Sequence, residues 1–215
     1  MDGVIVNSEE LWRTVEGPIF QELMPRWISK NQEEIVGMGV EDVYRYFVLN
    51  YGLSLSQEKF LDSCEKVAIE LYDHRVSLAE GLLPFLEELR ETKIPLGLAS
   101  SSPQRWIQRV LKRFDLAHYF SSVLSAEDVQ NRTKPAPDLY LESARRLNAR
   151  PADCLAVEDS SIGISAAKSA GFYCLGFRNR ANAAQDFSRA DKVIGGFGEM
   201  MGLFKKRNEP IVEEG

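Results

Sequence analysis

From Leu82 onward, short apolar runs alternate with amphipathic stretches, and that alternation constrains the fold to strands and helices wound into a parallel sheet. Ile94 to Ala99, Val123-Leu124, Cys154 to Val157 and Tyr173 to Phe177 are predicted strands. Between them, Leu82, Phe85, Leu86 and Leu89 mark one helix face, and Trp106, Ile107, Val110, Leu111 and Phe114 mark another. Arg105, Arg109, Lys112 and Arg113 oppose the second set, so that mixture reads as core plus solvated face rather than a nucleic-acid site. Further helical segments are predicted near Leu139–Leu147 and Ile162–Ala170. The class is α/β.

Residues 9 to 76 follow a different rule. Leu11, Val15, Ile19 and Leu23, then Val43, Phe47 and Leu49, then Phe60, Val67 and Leu71 recur at helical spacing with no strand among them. Breaks are expected at Gly17-Pro18, Pro25, Gly37, Gly39 and Gly52. A run of helices between a short acidic opening and the α/β part predicts an inserted helical cap.

Composition narrows the class of function. A net charge of -6 with no dense Lys/Arg stripe argues against nucleic acid as a partner. The Lys205-Lys206-Arg207 run, close to Glu209, Glu213 and Glu214, reads as a solvated tail. Three scattered cysteines, Cys64, Cys154 and Cys174, and two histidines, His74 and His118, oppose a disulfide scaffold or a zinc site. No apolar run is long enough for a bilayer span, and the opening on Asp2 lacks the basic and apolar parts of a secretion signal. The expectation is a cytoplasmic protein without a membrane partner, a monomer or weak dimer.

Four segments at candidate strand ends carry polar chemistry: Asp2-Gly3, Ser100-Ser101, Lys134-Pro135 and Glu158-Asp159. In a parallel sheet the carboxyl ends of strands share one edge, so these groups converge. Phosphoryl transfer asks a protein for donors and positive charge against the equatorial oxygens. Glu158-Asp159 suits Mg²⁺, which takes one or two carboxylates with phosphate oxygens and water; taken alone, Asp159 or Ser160 is as well explained as a helix cap. Lys134 sits in a loop stiffened by Pro135 and Pro137, and Ser100-Ser101-Ser102-Pro103 leads into a helix whose first N–H groups form an anion site.

Together, in order, these segments resemble the haloacid dehalogenase superfamily, in particular its members with a helical cap inserted after the first motif, the group of β-phosphoglucomutase and many sugar-phosphate phosphatases. The matching segments are Met1-Asp2-Gly3-Val4-Ile5-Val6-Asn7-Ser8-Glu9, Leu98-Ala99-Ser100-Ser101-Ser102, Thr133-Lys134-Pro135-Ala136-Pro137-Asp138 and Val157-Glu158-Asp159-Ser160-Ser161-Ile162-Gly163-Ile164. The resemblance implies a Rossmann-like core over residues 1–8 and 81–215 and an α-helical cap over residues 9–80. It implies that Asp2 is the general acid/base and that its backbone carbonyl helps hold Mg²⁺. Gly3, Ser100, Ser101 and Lys134 would bind the phosphoryl group, Asp159 would ligate the metal, and Glu158 would do so directly or through water.

The family's first motif is Asp-x-Asp, whose first aspartate is the nucleophile. Here x is Met1, so the nucleophile and its strand are expected just upstream and are absent from this sequence. Asn7 stands where an Asp is frequent, and Thr133 where a Gly is frequent. The implied activity is Mg²⁺-dependent hydrolysis of a small phosphorylated metabolite, a sugar phosphate, through an aspartyl-phosphate. The alternatives are a phosphosugar mutase of the β-phosphoglucomutase type, or a non-catalytic protein if the polypeptide starts at Met1. Glu33 to Asp42, the segment resembling the substrate-facing cap loop, contains no Lys or Arg, which favours hydrolysis over a mutase, although Lys30 and Arg45 flank it.

Overall fold

The computed structural model describes residues 1–208. Its first part is helical: α1 (Glu9–Leu23), α2 (Val40–Tyr51) and α3 (Gln57–Glu70), with a 3₁₀ segment at Ser29–Glu34 and a π turn at Leu71–Arg75. The rest alternates: α4 (Leu82–Glu91), β1 (Gly97–Ala99), α5 (Gln104–Arg113), β2 (Ser122–Leu124), α6 (Asp138–Arg146), β3 (Leu155–Glu158), α7 (Ser161–Ser169), β4 (Tyr173–Phe177), β5 (Lys192–Ile194) and α8 (Phe197–Asn208).

All strand pairs are parallel, as the alternation requires, but the strands form two pieces rather than one sheet. β1 pairs with β2, Leu98 opposite Val123. β3, β4 and β5 form the other piece, with Val157 opposite Leu175 and Gly176 opposite Val193. A cavity of about 570 Å³ is lined by all of β1 and all of β3, and by no residue of β2 or β5. It therefore runs along the edge of β1 and the edge of β3 that remain unpaired among the described residues.

The helical part is held by an aromatic cluster. Phe20 from α1, Phe47 from α2 and Phe60 from α3 are at most 3% exposed, and Trp27 is fully buried. Phe20 and Trp27 each meet Phe47 edge-on, at 4.8 and 4.9 Å between centroids, the geometry that the ring quadrupoles favour. This packing explains why α1 runs unbroken through Gly17-Pro18, where a break was expected. An interior proline costs about 3 kcal/mol, and burying Phe20 in the aromatic cluster, with Trp12 half-buried on the same helix, offsets it. The expected stops at Pro25 and Gly52 are present: α1 ends at Leu23, and Gly52 closes α2 at φ +69, where a glycine pays no Cβ penalty.

Three other expectations change. The strand predicted from Ile94 begins only at Gly97, because Pro95 has no N–H to give the ladder and Ile94 is half exposed. β5 and α8 were not predicted. In β5 only Ile194 is buried, and α8 uses Phe197 and Met200 against the core. The backbone of Lys205-Lys206-Arg207 lies in α8 rather than in a tail, while Glu209, Glu213 and Glu214 lie outside the described residues.

Candidate active site

Asp2 is the hub. Gly3 takes φ +67, and its N–H donates to Val6 O at 2.9 Å, closing a tight turn that projects the Asp2 carboxylate inward. That carboxylate accepts three hydroxyl hydrogen bonds: from Ser8 at 2.5 Å and Tyr72 at 2.8 Å on Oδ1, and from Ser102 at 2.8 Å on Oδ2. Trp12 Nε1 in turn donates to the Tyr72 hydroxyl (Oη) at 3.3 Å, so a chain of donors from α1 reaches Asp2. Burial and the adjacent Asp2 charge push the Tyr72 phenol well above its ordinary range, keeping it a donor. Ser8, Tyr72, Trp12 and Ser102 were not singled out from sequence. Ser8 and Ser102 stand inside the matched segments, but Tyr72 gave no signal, because it is 70 residues away and reads as helix core.

The other expected residues converge on this point. Asp159, one residue past β3, packs against Gly3: a Cβ on Gly3 would fall 1.8 Å from Asp159 Oδ2. Asp159 is 7% exposed, and its Oδ2 has no hydrogen-bond partner. Burial first, then Glu158, pushes its carboxyl up to about 7. Ser100 and Ser101 follow β1 and are buried beside the same cavity; Ser100 Oγ accepts from Ser102 N–H at 3.2 Å, and Ser101 Oγ is unpartnered. Asp2, Ser100, Ser101, Lys134, Glu158 and Asp159 all line that cavity.

Lys134 and Glu158 are paired in this geometry. Lys134 forms an ion pair with Glu158, both side chains being less than one-tenth exposed, and Tyr140 donates to the same Glu158 oxygen. Glu158 is thereby turned toward Lys134 and Tyr140, and Lys134 keeps two of its three ammonium donors for a ligand. The expected metal set was the Asp2 backbone carbonyl with Asp159 and, directly or through water, Glu158; among the described residues no three His, Cys, Asp or Glu side chains cluster. Mg²⁺ needs only one or two carboxylates beside phosphate and water, and a buried, unpartnered Asp159 oxygen fits such an ion.

Backbone positioning comes from residues that the sequence left unread. Asn182 Nδ2 donates to Asp159 O at 2.9 Å and to Phe177 O at 2.8 Å, and Asn179 Nδ2 donates to Gly3 O at 3.0 Å. Ser160 caps α7, its Oγ accepting from Gly163 N–H at 3.1 Å. Asn7, the first departure from the family pattern, accepts from Ser77 N–H at 2.7 Å, a bond that an Asp would also make. Thr133, the second, donates to Asp42 at the start of α2 and ties the Lys134 loop to the helical part.

The contact of Gly3 with Asp159 gives a direct test. Gly3→Ala is expected to lower the melting temperature, since the positive φ alone costs about 1–2 kcal/mol for a residue with a Cβ and the methyl group also meets the carboxylate. In a cycle with Asp159→Ala the collision term disappears, so the two losses are expected to be less than additive by thermal denaturation.

Comparisons with known proteins identify relatives of the chain. A family model described as haloacid dehalogenase-like hydrolase matches residues 1–177. The chain is 40% identical over 202 residues to β-phosphoglucomutase of Bacillus subtilis, covering 90% of this chain and 86% of that one. It is 30% identical over 172 residues to hexitol phosphatase B of Escherichia coli, covering 79% and 77%. In fold it is similar to CbbY from Rhodobacter sphaeroides crystallised with phosphate, at a TM-score of 0.77, 23% identity and 93% coverage of each chain. The chain belongs to the haloacid dehalogenase-like hydrolase family.

Proposed function

We propose that this protein hydrolyses a small phosphorylated metabolite, a sugar or polyol phosphate, with Mg²⁺, through an aspartyl-phosphate, in the cytoplasm. The observation that carries the reading is one cavity bordered by Asp2, Ser100, Ser101, Lys134 and Asp159. Similarity to a hexitol phosphatase supports the substrate class, and the three free thiols suit a reducing compartment. Among the described residues no helix is long and apolar enough to cross a membrane.

In this reading the nucleophile is an aspartate immediately ahead of Met1, carried at the end of a strand between β1 and β3. The unpaired edges of those strands and the apolar cavity along them, lined by Leu98, Val157 and Leu175, support it. The carboxylate attacks phosphorus, the ester P–O bond breaks, and the leaving oxygen takes a proton from Asp2. Water then attacks the acyl phosphate, gives its proton to Asp2 and releases inorganic phosphate and the free carboxylate. Ser8, Tyr72 and Ser102 hold the Asp2 carboxylate in place for both transfers. Lys134 and the Ser100–Ser102 turn face the transferring group. Asp159 Oδ2 and the Asp2 carbonyl would hold Mg²⁺, which when bound offsets the negative charge of the phosphoryl oxygens.

Hydrolysis is favoured over the mutase alternative by the charge of the chamber. Among the described residues, Lys134 is the only Lys, Arg or His lining the cavity. Arg45 pairs instead with Asp42, and Lys30 is exposed. A mutase must grip the far phosphate of a bisphosphate, and no basic side chain is placed there. The test is a panel of phosphorylated metabolites with Mg²⁺, using the polypeptide extended upstream through that strand. Stoichiometric inorganic phosphate release is expected; isomerisation without release would establish the mutase, and inactivity of the extended protein on all substrates would end the proposal.

A further inference from the structure

The cavity continues from the phosphoryl end into the helical part, and among the mostly apolar residues it meets there stand Glu9, Glu16 and Gln32. Glu9, Trp12 and Glu16 fall at i, i+3 and i+7 of α1 and line the cavity together. Glu9 and Glu16 are about 10 Å apart along the helix axis at the standard rise. Trp12 between them is fixed by Tyr72 and by Trp106, whose ring centroid lies at 5.4 Å. Gln32 comes from the Ser29–Glu34 segment to the same wall; it is 6% exposed, and its side-chain amide has no hydrogen-bond partner. Neither Glu9 nor Glu16 makes a side-chain hydrogen bond or ion pair. Arg13, the nearest basic residue in sequence, is engaged by Glu33 and by Ala181 O.

The Gln32 amide, buried without a partner, carries a desolvation cost that a ligand can relieve. We propose that Glu9, Trp12, Glu16 and Gln32 form the leaving-group subsite, that it recognises the hydroxyls of an uncharged polyol, and that it excludes a second phosphate or a carboxylate. The inference deepens the proposed function and rests on it for the position of the phosphate. Burial pushes the Glu16 carboxyl up to about 8, so at neutral pH it both donates and accepts, as an alcohol does. The Gln32 amide has the same double character, and the Trp12 face suits the apolar side of a carbon chain. An anion would meet acids here and no basic side chain.

Calorimetric titration of the 215-residue chain with Mg²⁺ tests this, using a hexitol monophosphate, the matching hexose bisphosphate, inorganic phosphate and the free hexitol as probes. The monophosphate is expected to bind at least about tenfold more tightly than either inorganic phosphate or the bisphosphate, a difference of about 1.4 kcal/mol. Glu16→Ala is expected to weaken the monophosphate severalfold while leaving inorganic phosphate unchanged, and Glu16→Lys to reverse the order of monophosphate and bisphosphate. A wild-type preference for the bisphosphate, or an order untouched by Glu16→Lys, would overturn the proposal. Failure of inorganic phosphate to bind would instead count against the phosphoryl site, and the subsite would then be judged on the free hexitol. Binding of the hexitol lost in Glu16→Ala and Gln32→Ala supports the polyol wall, and no binding overturns it.

Discussion

Replacing Lys134 by methionine is expected to destabilise the protein by about 3–5 kcal/mol, the cost of leaving a buried carboxylate without its counter-ion. The side chain is 8% exposed and Glu158 only 5%, so solvent cannot take over the role of the ammonium group. Tyr140 still donates to Glu158, but a neutral hydroxyl does not offset a charge. At this chain length the loss corresponds to roughly 10 °C in melting temperature. Adding Glu158→Gln to Lys134→Met removes the stranded charge, so the double variant is expected to regain much of the loss. Equal melting temperatures for wild type and Lys134→Met would show that the pair is not structural. Lys134 thus neutralises Glu158 beneath the site, and in the proposed mechanism its remaining donors serve the phosphoryl group.

The second large effect concerns Asp2. Asp2→Asn is expected to reduce phosphate release from an alkyl phosphate by about 10²–10⁴-fold, the usual contribution of a positioned acid/base. The amide is close to isosteric and can still accept from Ser8 and Tyr72, but it carries no transferable proton, and its NH₂ cannot accept from Ser102. An aryl phosphate such as p-nitrophenyl phosphate needs little leaving-group protonation, so its first step is expected to suffer much less than that of the alkyl ester. Equal losses for both esters in burst kinetics would indicate that Asp2 only positions neighbouring groups. Both measurements use the polypeptide that extends through the upstream strand.

Much of this was legible in the sequence because strand-end motifs are local. Ser100 directly follows β1 and Asp159 directly follows β3, so short apolar runs were enough to place them at strand ends. The helix faces of α4 and α5 were equally plain, since Leu82, Phe85, Leu86, Trp106 and Ile107 are all buried as their spacing demands. What escaped notice was set by long-range contact. The Tyr72 hydroxyl reaches Asp2 only because a π turn follows α3, and Asn182 serves the site from a loop beyond β4. The orientation of Glu158 was hidden for the same reason: its partners, Lys134 and Tyr140, are 24 and 18 residues distant, and only packing chooses between a metal and an ammonium group. β5 was missed because it spans three residues with one buried side chain, too short for periodicity to register.

The helical part appears as more than a cover once these contacts are in view. Trp12 and Tyr72 reach Asp2, Thr133 holds α2 to the Lys134 loop, and Arg13 and Gln185 join α1 and the Ser29–Glu34 segment to the loop after β4. The side chains that hold Asp2 therefore belong to the same contacts that tie the helical part to the rest of the protein.

The most direct test is a crystal structure of this chain grown with Mg²⁺ and a tetrahedral phosphate analogue such as tungstate. The account requires the anion within hydrogen-bond reach of Ser100 Oγ and Lys134 Nζ, and the cation on Asp159 Oδ2. An anion bound away from those residues, or a cation that leaves Asp159 without a ligand, would contradict it.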